Sequence, residues 1–166
     1  MELNRQTKWV EVLPVWNVAS NKDKVKEDAV KVMFGNAGFY ALTINDWIAL
    51  TEQEDLTLFE KYGKDIALGF ICVEAFKDFV KDFVKTLERL TPPARAVDNA
   101  RKNATLPCGV GEGFLLFARD YFGLHSFDEA GNVTLADLIL AKKDTYNKVM
   151  ASRAEQNFYN QQTKKR

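Results

Sequence analysis

The stretch from residue 65 to residue 90 constrains the fold most, because it has the pattern of one long helix with two different parts. Its first third, residues 66–73, is apolar on every side, which is typical of a helix surrounded by protein. From residue 76 onward, apolar residues recur at steps of three and four, with charged residues between them. These apolar residues are Phe76, Phe79, Val80, Phe83, Val84 and Leu87. We expect a central helix that is buried all round at its start and along one stripe afterwards.

Length and composition favour a single domain. The chain has 166 residues, of which 46% are hydrophobic and twelve are phenylalanine, enough for a substantial core. Basic and acidic residues number 23 each, so no net charge attracts nucleic acid or a membrane surface. No apolar run reaches the roughly 20 residues that span a bilayer, and no signal-peptide core follows Met1. We expect a protein that is neither transmembrane nor secreted through a signal peptide, with Cys72 and Cys108 reduced.

The N-terminal residues 1–19 are expected to form an extended arm or an edge strand. Residues 8–18 are rich in β-branched and aromatic types, and Pro14 in their middle argues against a long helix and against a central strand. Ser20 or Asn21 then caps a short helix that ends at Gly35.

Four pairs of residues have the spacing of a capping box, in which a hydroxyl and a carboxylate three residues later satisfy amides at a helix start. The pairs are Thr43 with Asp46, Thr51 with Glu54, Ser126 with Glu129, and Thr134 with Asp137. Each pair predicts a helix start. Two further helices are expected, a short polar one at 94–103 after the two prolines, and an apolar one at 114–122.

These elements together predict a mainly α, irregular helical domain. Its two long helices lie at about residues 65–90 and 135–161, and the others are short and capped. We divide the chain into an extended arm at 1–19, a helical core at 20–141, and a basic C-terminal helix and tail at 142–166 that belongs to the same domain.

The second long helix carries a narrow apolar stripe on an otherwise polar second half, with Tyr146, Met150, Ala154 and Phe158 four residues apart. Such a helix needs something to lie against, either its own domain or another chain. Residues 142–166 contain seven basic and two acidic residues, whereas residues 46–60 contain five acidic and no basic ones. We therefore expect contacts between chains, in which the acidic segment faces a neighbour's basic tail. The predicted interface residues are Trp9, Val12, Trp16, Tyr146, Met150 and Phe158.

No motif in the sequence predicts a metal or cofactor site. Gly109, Gly111 and Gly113 precede a helix as in phosphate-binding loops, but the spacing and the preceding strand are wrong, which favours close packing of that helix. Residues 128–139 resemble a calcium loop with half of the oxygen ligands missing, so we prefer a turn followed by a helix cap.

No group of residues predicts catalysis either, so no catalytic residue is assigned. Cys108 and His125, the only histidine, are a candidate nucleophile pair, but no nucleophile motif surrounds them. Asp78 and Asp82 share a helix face, but interleaved lysines make them members of ordinary surface ion pairs. The basic C-terminal segment with Phe158 and Tyr159 is also compatible with a nucleic-acid-binding regulator, which is our alternative interpretation.

Three segments, Leu106-Pro107, residues 114–124 and residues 135–144, give the chain a family resemblance. They are similar to the small helical virion and assembly proteins of tailed bacteriophages. The resemblance implies a non-enzymatic structural or adaptor subunit that packs against copies of itself or against other virion subunits, in a virion or in the host cytoplasm. It transfers no functional residue to this sequence.

Overall fold

The computed structural model describes residues 3, 9–18, 22–61, 66–95 and 109–163, and within these ranges it is mainly helical with no strand. The predicted all-α fold is confirmed. Short 3-10 helices at Gly35–Ala41 and Leu56–Lys61 connect some of the α-helices. The α-helices are α1 (Trp9–Trp16), α2 (Lys22–Phe34), α3 (Ile44–Thr51), α4 (Ile66–Arg89), α5 (Val110–Phe122), α6 (Phe127–Gly131) and α7 (Leu135–Thr163).

Helix α4 is the centre of the core, as its pattern predicts. Phe76 and Phe83 on its apolar stripe are buried. The ring of Phe83 lies with its centroid 4.9 Å from that of Trp47 in α3 and 6.2 Å from that of Phe114 in α5. The ring of Phe39, from the Gly35–Ala41 segment, packs against the ring of Phe76 with a centroid separation of 5.3 Å. An aromatic cluster on one face of α4 therefore holds three other elements against it.

The first third of α4 is covered less completely than expected. Ala67, Leu68, Ile71 and Cys72 are buried, but Phe70 is 48% exposed. The prediction that this segment is surrounded on all sides is therefore wrong. A helix that is apolar on all sides can be buried on any of them. Which sides are covered depends on the elements that pack against it.

The N-terminal arm prediction is wrong over residues 9–16, which form α1 rather than an extended arm or an edge strand. Pro14 lies inside this helix and removes a single backbone hydrogen bond from it. Val12 is fully buried, and α1 packs against α2 and α4. Burial of α1 in the core therefore outweighs the unfavourable effect of Pro14 on helix formation.

The predicted helix ends are mostly correct. Gly35, with φ of +70°, follows α2, and Gly123, with φ of +65°, is the C-cap of α5. The Thr43–Asp46 capping box is present at the start of α3. The Thr134 hydroxyl accepts a hydrogen bond from the Asp137 amide at the start of α7. Ser126 caps α6 in the same way.

The Thr51–Glu54 box is wrong. Thr51 is the last residue of α3, and its hydroxyl donates to the Trp47 carbonyl instead of capping a new helix. The 3-10 helix that follows is preceded by Asp55, whose carboxylate accepts from the Thr57 amide. Ser20, Asn21 and most of the predicted helix at 94–103 lie outside the described residues.

Two helix starts are joined to each other by backbone hydrogen bonds. The Leu135 amide donates to the Leu42 carbonyl at 2.8 Å, and the Ile44 amide donates to the Val133 carbonyl at 3.0 Å. This isolated bridge places the beginning of α7 beside the beginning of α3. Helix α7 therefore starts inside the core and runs outward from it.

Candidate interaction surface

The first two turns of α7 are part of the core. Leu135 and Leu138 are fully buried and Ala141 is almost so. These residues lie on one side of the helix, because each step of three residues turns by about 60° and the three residues span about 120°. They define the body-facing side of α7.

The next turns of α7 contact α5 through a polar cluster. Lys142 Nζ lies 3.7 Å from the centroid of the Phe117 ring, and the loss of hydration there lowers the pKa of this lysine. The Tyr121 hydroxyl donates to Asp144 Oδ2 at 2.7 Å, which raises the pKa of Tyr121. Lys148 Nζ lies 2.6 Å from the same carboxylate, and its hydrogen bond is the main cause of the lowered pKa of Asp144. This cluster orients α7 against α5.

Beyond this cluster α7 projects into solvent. From Asn147 to Thr163, every side chain is exposed apart from the half-buried Val149 and Arg153. Arg153 Nη1 donates to the Pro93 carbonyl at 2.6 Å, and Arg95 Nη1 donates to Gln156 Oε1 at 3.1 Å. These bonds fix the body-facing side of α7 beside the segment that follows α4. The opposite side has no neighbour in the part of the chain that the structure describes.

The predicted stripe does not form a single straight ridge on this projecting helix. A four-residue step advances about 40° beyond a full turn, so Phe158 lies about 120° around the helix from Tyr146. Accordingly, Tyr146 is half-buried, Met150 is 37% exposed and Phe158 is 58% exposed. Three of the predicted interface residues are therefore on α7, but only the latter two are on its exposed surface.

The three predicted residues of the N-terminal segment do not form an exposed surface together. Val12 is fully buried in the core, so it does not contact another chain in the folded protein. Trp16 is half-buried, with its ring centroid 6.3 Å from that of Phe70 and the Lys22 ammonium 5.5 Å away. Trp9 belongs to α1, and its side chain lies outside the described residues.

The acidic segment 46–60 is not the continuous charged surface that its composition suggests. Asp46 is buried and accepts a hydrogen bond from the Thr43 amide. Glu52 Oε1 accepts from the Gly111 amide at 2.8 Å, which connects α3 with α5. Glu54 and Asp55 are exposed. Two of the carboxylates therefore make hydrogen bonds within the fold, and one of the two is buried.

Close packing explains one glycine of the run before α5. A Cβ atom at Gly111 would lie 2.4 Å from Ile48 Cγ1, so a larger residue would push α5 away from α3. Gly111 is also inside α5, since this helix begins at Val110. The preferred interpretation of this glycine, close approach of two helices, is confirmed.

The cysteine and histidine candidates for catalysis do not form a reactive group among the described residues. Cys72 is fully buried, donates to Met33 Sδ at 3.2 Å, and has a pKa raised to about 12 by burial, so its thiol stays protonated at neutral pH. His125 is exposed, and its backbone amide donates to Glu129 Oε2. Cys108 lies outside the described residues. Among the residues that the structure does describe, no three His, Cys, Asp or Glu side chains are grouped as metal ligands.

Two exposed residues on α7 are not among the predicted interface residues. Leu140 is 64% exposed and Tyr159 is 67% exposed, with the Tyr159 ring 5.8 Å from that of Phe158. A helical-wheel projection of the sequence predicts that Leu140 is exposed, because it lies on the side of the helix opposite Leu135 and Leu138.

No described helix is long and apolar enough to cross a membrane. An open groove of about 390 Å³ lies between α2 and the Gly35–Ala41 segment, with Tyr40 and Phe79 among its lining residues. Comparison of the chain with known protein families, characterised proteins and solved structures finds no match.

Proposed function

We propose that this protein is a non-enzymatic structural or adaptor subunit that packs against other chains in a larger assembly, with the projecting half of α7 as its contact. The observation that carries this proposal is the exposure of Met150, Phe158 and Tyr159 on a helix whose beginning is anchored in the core. Exposed aromatic anchors on a rigid helix are typical of protein interfaces. A bacteriophage virion is the assembly that the sequence resemblance implies.

The anchoring of α7 supports this role. A helix that projects alone from a domain buries little apolar surface and is marginal in water by itself. Here the helix is continuous with buried turns, and the Tyr121–Asp144 hydrogen bond orients it. The side chains beyond Asn147 are therefore presented on a preformed helix, so binding requires little additional ordering of the backbone.

The charge of the C-terminal segment supports a role in orienting the contact. Residues 142–166 have a net excess of five basic residues. Such charge mainly accelerates and orients encounter, whereas buried aromatic side chains provide most of the affinity. We therefore assign the affinity to Met150, Phe158 and Tyr159.

Native-extract chromatography tests the proposal. The double substitution Met150→Ser and Phe158→Ser removes two exposed anchors with little effect on folding, because neither residue is in the core. In extracts of cells that express the gene naturally, we expect the wild-type chain to elute in a large complex and the double variant to elute at much lower mass. Leu56→Ser is the matched control, because Leu56 is an exposed apolar residue on another element.

Elution of the wild-type chain as a free monomer in those extracts contradicts the proposal. So does a double variant that stays in the large complex while its circular dichroism spectrum matches that of the wild type. A complex that disappears on nuclease treatment, with binding that weakens steeply as salt rises, favours the nucleic-acid-binding alternative instead.

A further inference from the structure

The solvent side of α7 is continuous and mostly uncharged. At about 100° per residue, the side opposite Leu138 and Thr145 contains the positions of Leu140, Asn147 and Phe158. Ala151 and Ala154 lie between the last two on the same side. Within the described residues, this side of α7 points away from α5, from the Gly35–Ala41 segment and from the segment at 93–95, all of which α7 contacts.

Charged residues follow one edge of this solvent side. Asp144, Lys148 and Glu155 lie within about 40° of one another around the helix. Lys148 already contacts Asp144, and its side chain remains 73% exposed. Glu155 is exposed and makes no ion pair within the described part of the chain. A charge of each sign is therefore available on this edge, seven residues apart.

We infer that a second copy of this chain covers the solvent side of α7, in an antiparallel helix pair with its two-fold axis between Ala151 and Ser152. In this arrangement the same edges of the two helices meet and run in opposite directions, so residue pairs are reciprocal. Lys148 then faces Glu155 of the partner subunit, and the contact occurs twice. This inference rests on the proposed function and names a partner for the side of the projecting helix that contains Phe158.

The residues near the axis fit this arrangement. Ala151 and Ala154 are small and exposed, so two helices can approach closely at the crossing point. Phe158 then lies beside Asn147 of the partner subunit, and Leu140 lies beside the partner's Gln161. A parallel two-fold pair would instead bring opposite edges of the two helices together. Lys148 and Glu155 would then face the partner's edge that contains Met150 and would form no reciprocal ion pair, which favours the antiparallel arrangement.

The size of the contact predicts a weak pair. The segment from Leu140 to Gln161 is about 32 Å long at 1.5 Å per residue. One helix face of this length gives an interface at the low end of the usual sizes, where complexes are transient. We expect dimers that form at about 1–100 μM chain and do not grow further, because a two-fold contact is closed.

Sedimentation equilibrium with charge variants tests the pairing. Lys148→Glu and Glu155→Lys each replace two attractions with two repulsions, so each should weaken the dimer by about tenfold or more. The double variant restores both pairs with the charges exchanged and should recover dimerisation. Glu88→Lys, the same charge change at an exposed position of α4, is the matched control and should leave the dimer unchanged.

Disulfide crosslinking tests the direction of the pair. In a Cys108→Ser background, Ala151→Cys should give oxidised dimers quickly, because this position lies next to the axis. Gln161→Cys lies far from its counterpart in an antiparallel pair and beside it in a parallel pair. Faster crosslinking through Gln161→Cys overturns the antiparallel arrangement.

A wild-type chain that stays monomeric up to about 500 μM overturns the inference, and so does a double charge variant that fails to recover. These outcomes are separate from the proposed function. A purified monomer that still enters a large complex in native extracts removes the second copy as partner but keeps the assembly role. A purified dimer that never enters a larger complex keeps the second copy as partner but contradicts the assembly role.

Discussion

The two long helices, α4 and α7, start alike and end differently. Each begins with apolar turns in the core and continues into a half with regularly spaced apolar residues. In α4 the steps alternate between three and four, so the apolar residues stay on one face and other helices cover it. In the second half of α7 every step is four, so the stripe turns around the helix, and no described element of the domain covers all of it. The spacing of the apolar residues, more than their number, therefore distinguishes the core helix α4 from the projecting half of α7.

Truncation of one phenylalanine in each helix is the strongest test of this difference. Phe83 in α4 is 1% exposed and contacts rings from α3 and α5. Phe83→Ala should lower the free energy of unfolding by about 3–5 kcal/mol, because it leaves a cavity in the aromatic cluster. Phe158→Ala in α7 should change it by less than about 0.5 kcal/mol, because this side chain is mostly in water.

Urea unfolding followed by circular dichroism measures both values, at chain concentrations where the protein is monomeric. Equal losses for the two variants would mean that the end of α7 folds back onto the body. That result would also remove the surface on which the proposed function depends.

Two glycines sharpen the comparison at the level of the backbone. Gly111 is a contact point between α5 and α3, where an added Cβ atom would meet Ile48 at 2.4 Å. Gly111→Ala should therefore cost about 1–3 kcal/mol through overpacking. Gly69 is inside α4 and has no neighbouring atom within 4 Å of an added Cβ. Gly69→Ala should stabilise the protein by about 0.5–1 kcal/mol, because alanine favours the helix.

Thermal unfolding of the two variants is the measurement, and the expected shifts have opposite signs. A neutral Gly111→Ala would show that α3 and α5 separate easily at this point. A destabilising Gly69→Ala would reveal a close neighbour on the exposed side of α4.

The two long helices follow from local sequence signals, whereas α1 does not. The helix predicted at residues 65–90 is observed at Ile66–Arg89, and the helix predicted at 135–161 is observed at Leu135–Thr163. Prolines, left-handed glycines and capping hydroxyls act within a few residues, so the sequence shows them directly. The Thr51 box failed because a hydroxyl can bond backward to a carbonyl as well as forward to an amide.

The surfaces follow from packing between distant segments, which the sequence does not show. Asp46 and Glu52 count as surface charge in the sequence, but the structure uses both for hydrogen bonds within the fold. Val12 was assigned to an interface, yet α2 and α4 bury it. The sequence leaves open whether Met150 and Phe158 lie against their own domain or another chain, and in the structure both are exposed. Whether they bind another chain stays a prediction.

The cap of α7 tests how far the anchoring of this helix extends. Thr134 accepts from the Asp137 amide at 3.2 Å and donates to its carboxylate at 2.7 Å. Thr134→Ala should cost about 1 kcal/mol, because the first turn of α7 is in the core and loses its cap. Thr163→Ala, at the far end of the same helix, should be within about 0.3 kcal/mol of the wild type.

Urea unfolding distinguishes these two threonines with the same substitution in one helix. A large loss at Thr163 would mean that the projecting end is coupled to global unfolding. In that case α7 would behave like α4, and the contrast between the two helices would fail.

The smallest expected effect concerns the surface ion pair that attaches α2 to α4. Lys26 Nζ lies 2.6 Å from Asp78 Oδ2, and this hydrogen bond is the main cause of the lowered pKa of Asp78. The Asp78 side chain is 57% exposed, so solvent screens the pair and Asp78→Asn should cost only about 0.2–0.5 kcal/mol at pH 7. Asp82→Asn is the control, because Asp82 pairs with Lys85 in the same helix and should matter less.

The pH dependence of this difference has a defined sign. Asp78 has a lower pKa in the folded chain than in the unfolded chain, so the unfolded chain binds more protons between the two values. The contribution of Asp78 is therefore complete above about pH 4, near the ordinary pKa of aspartate, and is lost as the pH falls through the folded value. Urea unfolding of wild type and variant from pH 7 down to pH 2.5 measures the loss. A difference that persists at the lowest pH would arise from packing of the Asp78 side chain and not from its charge.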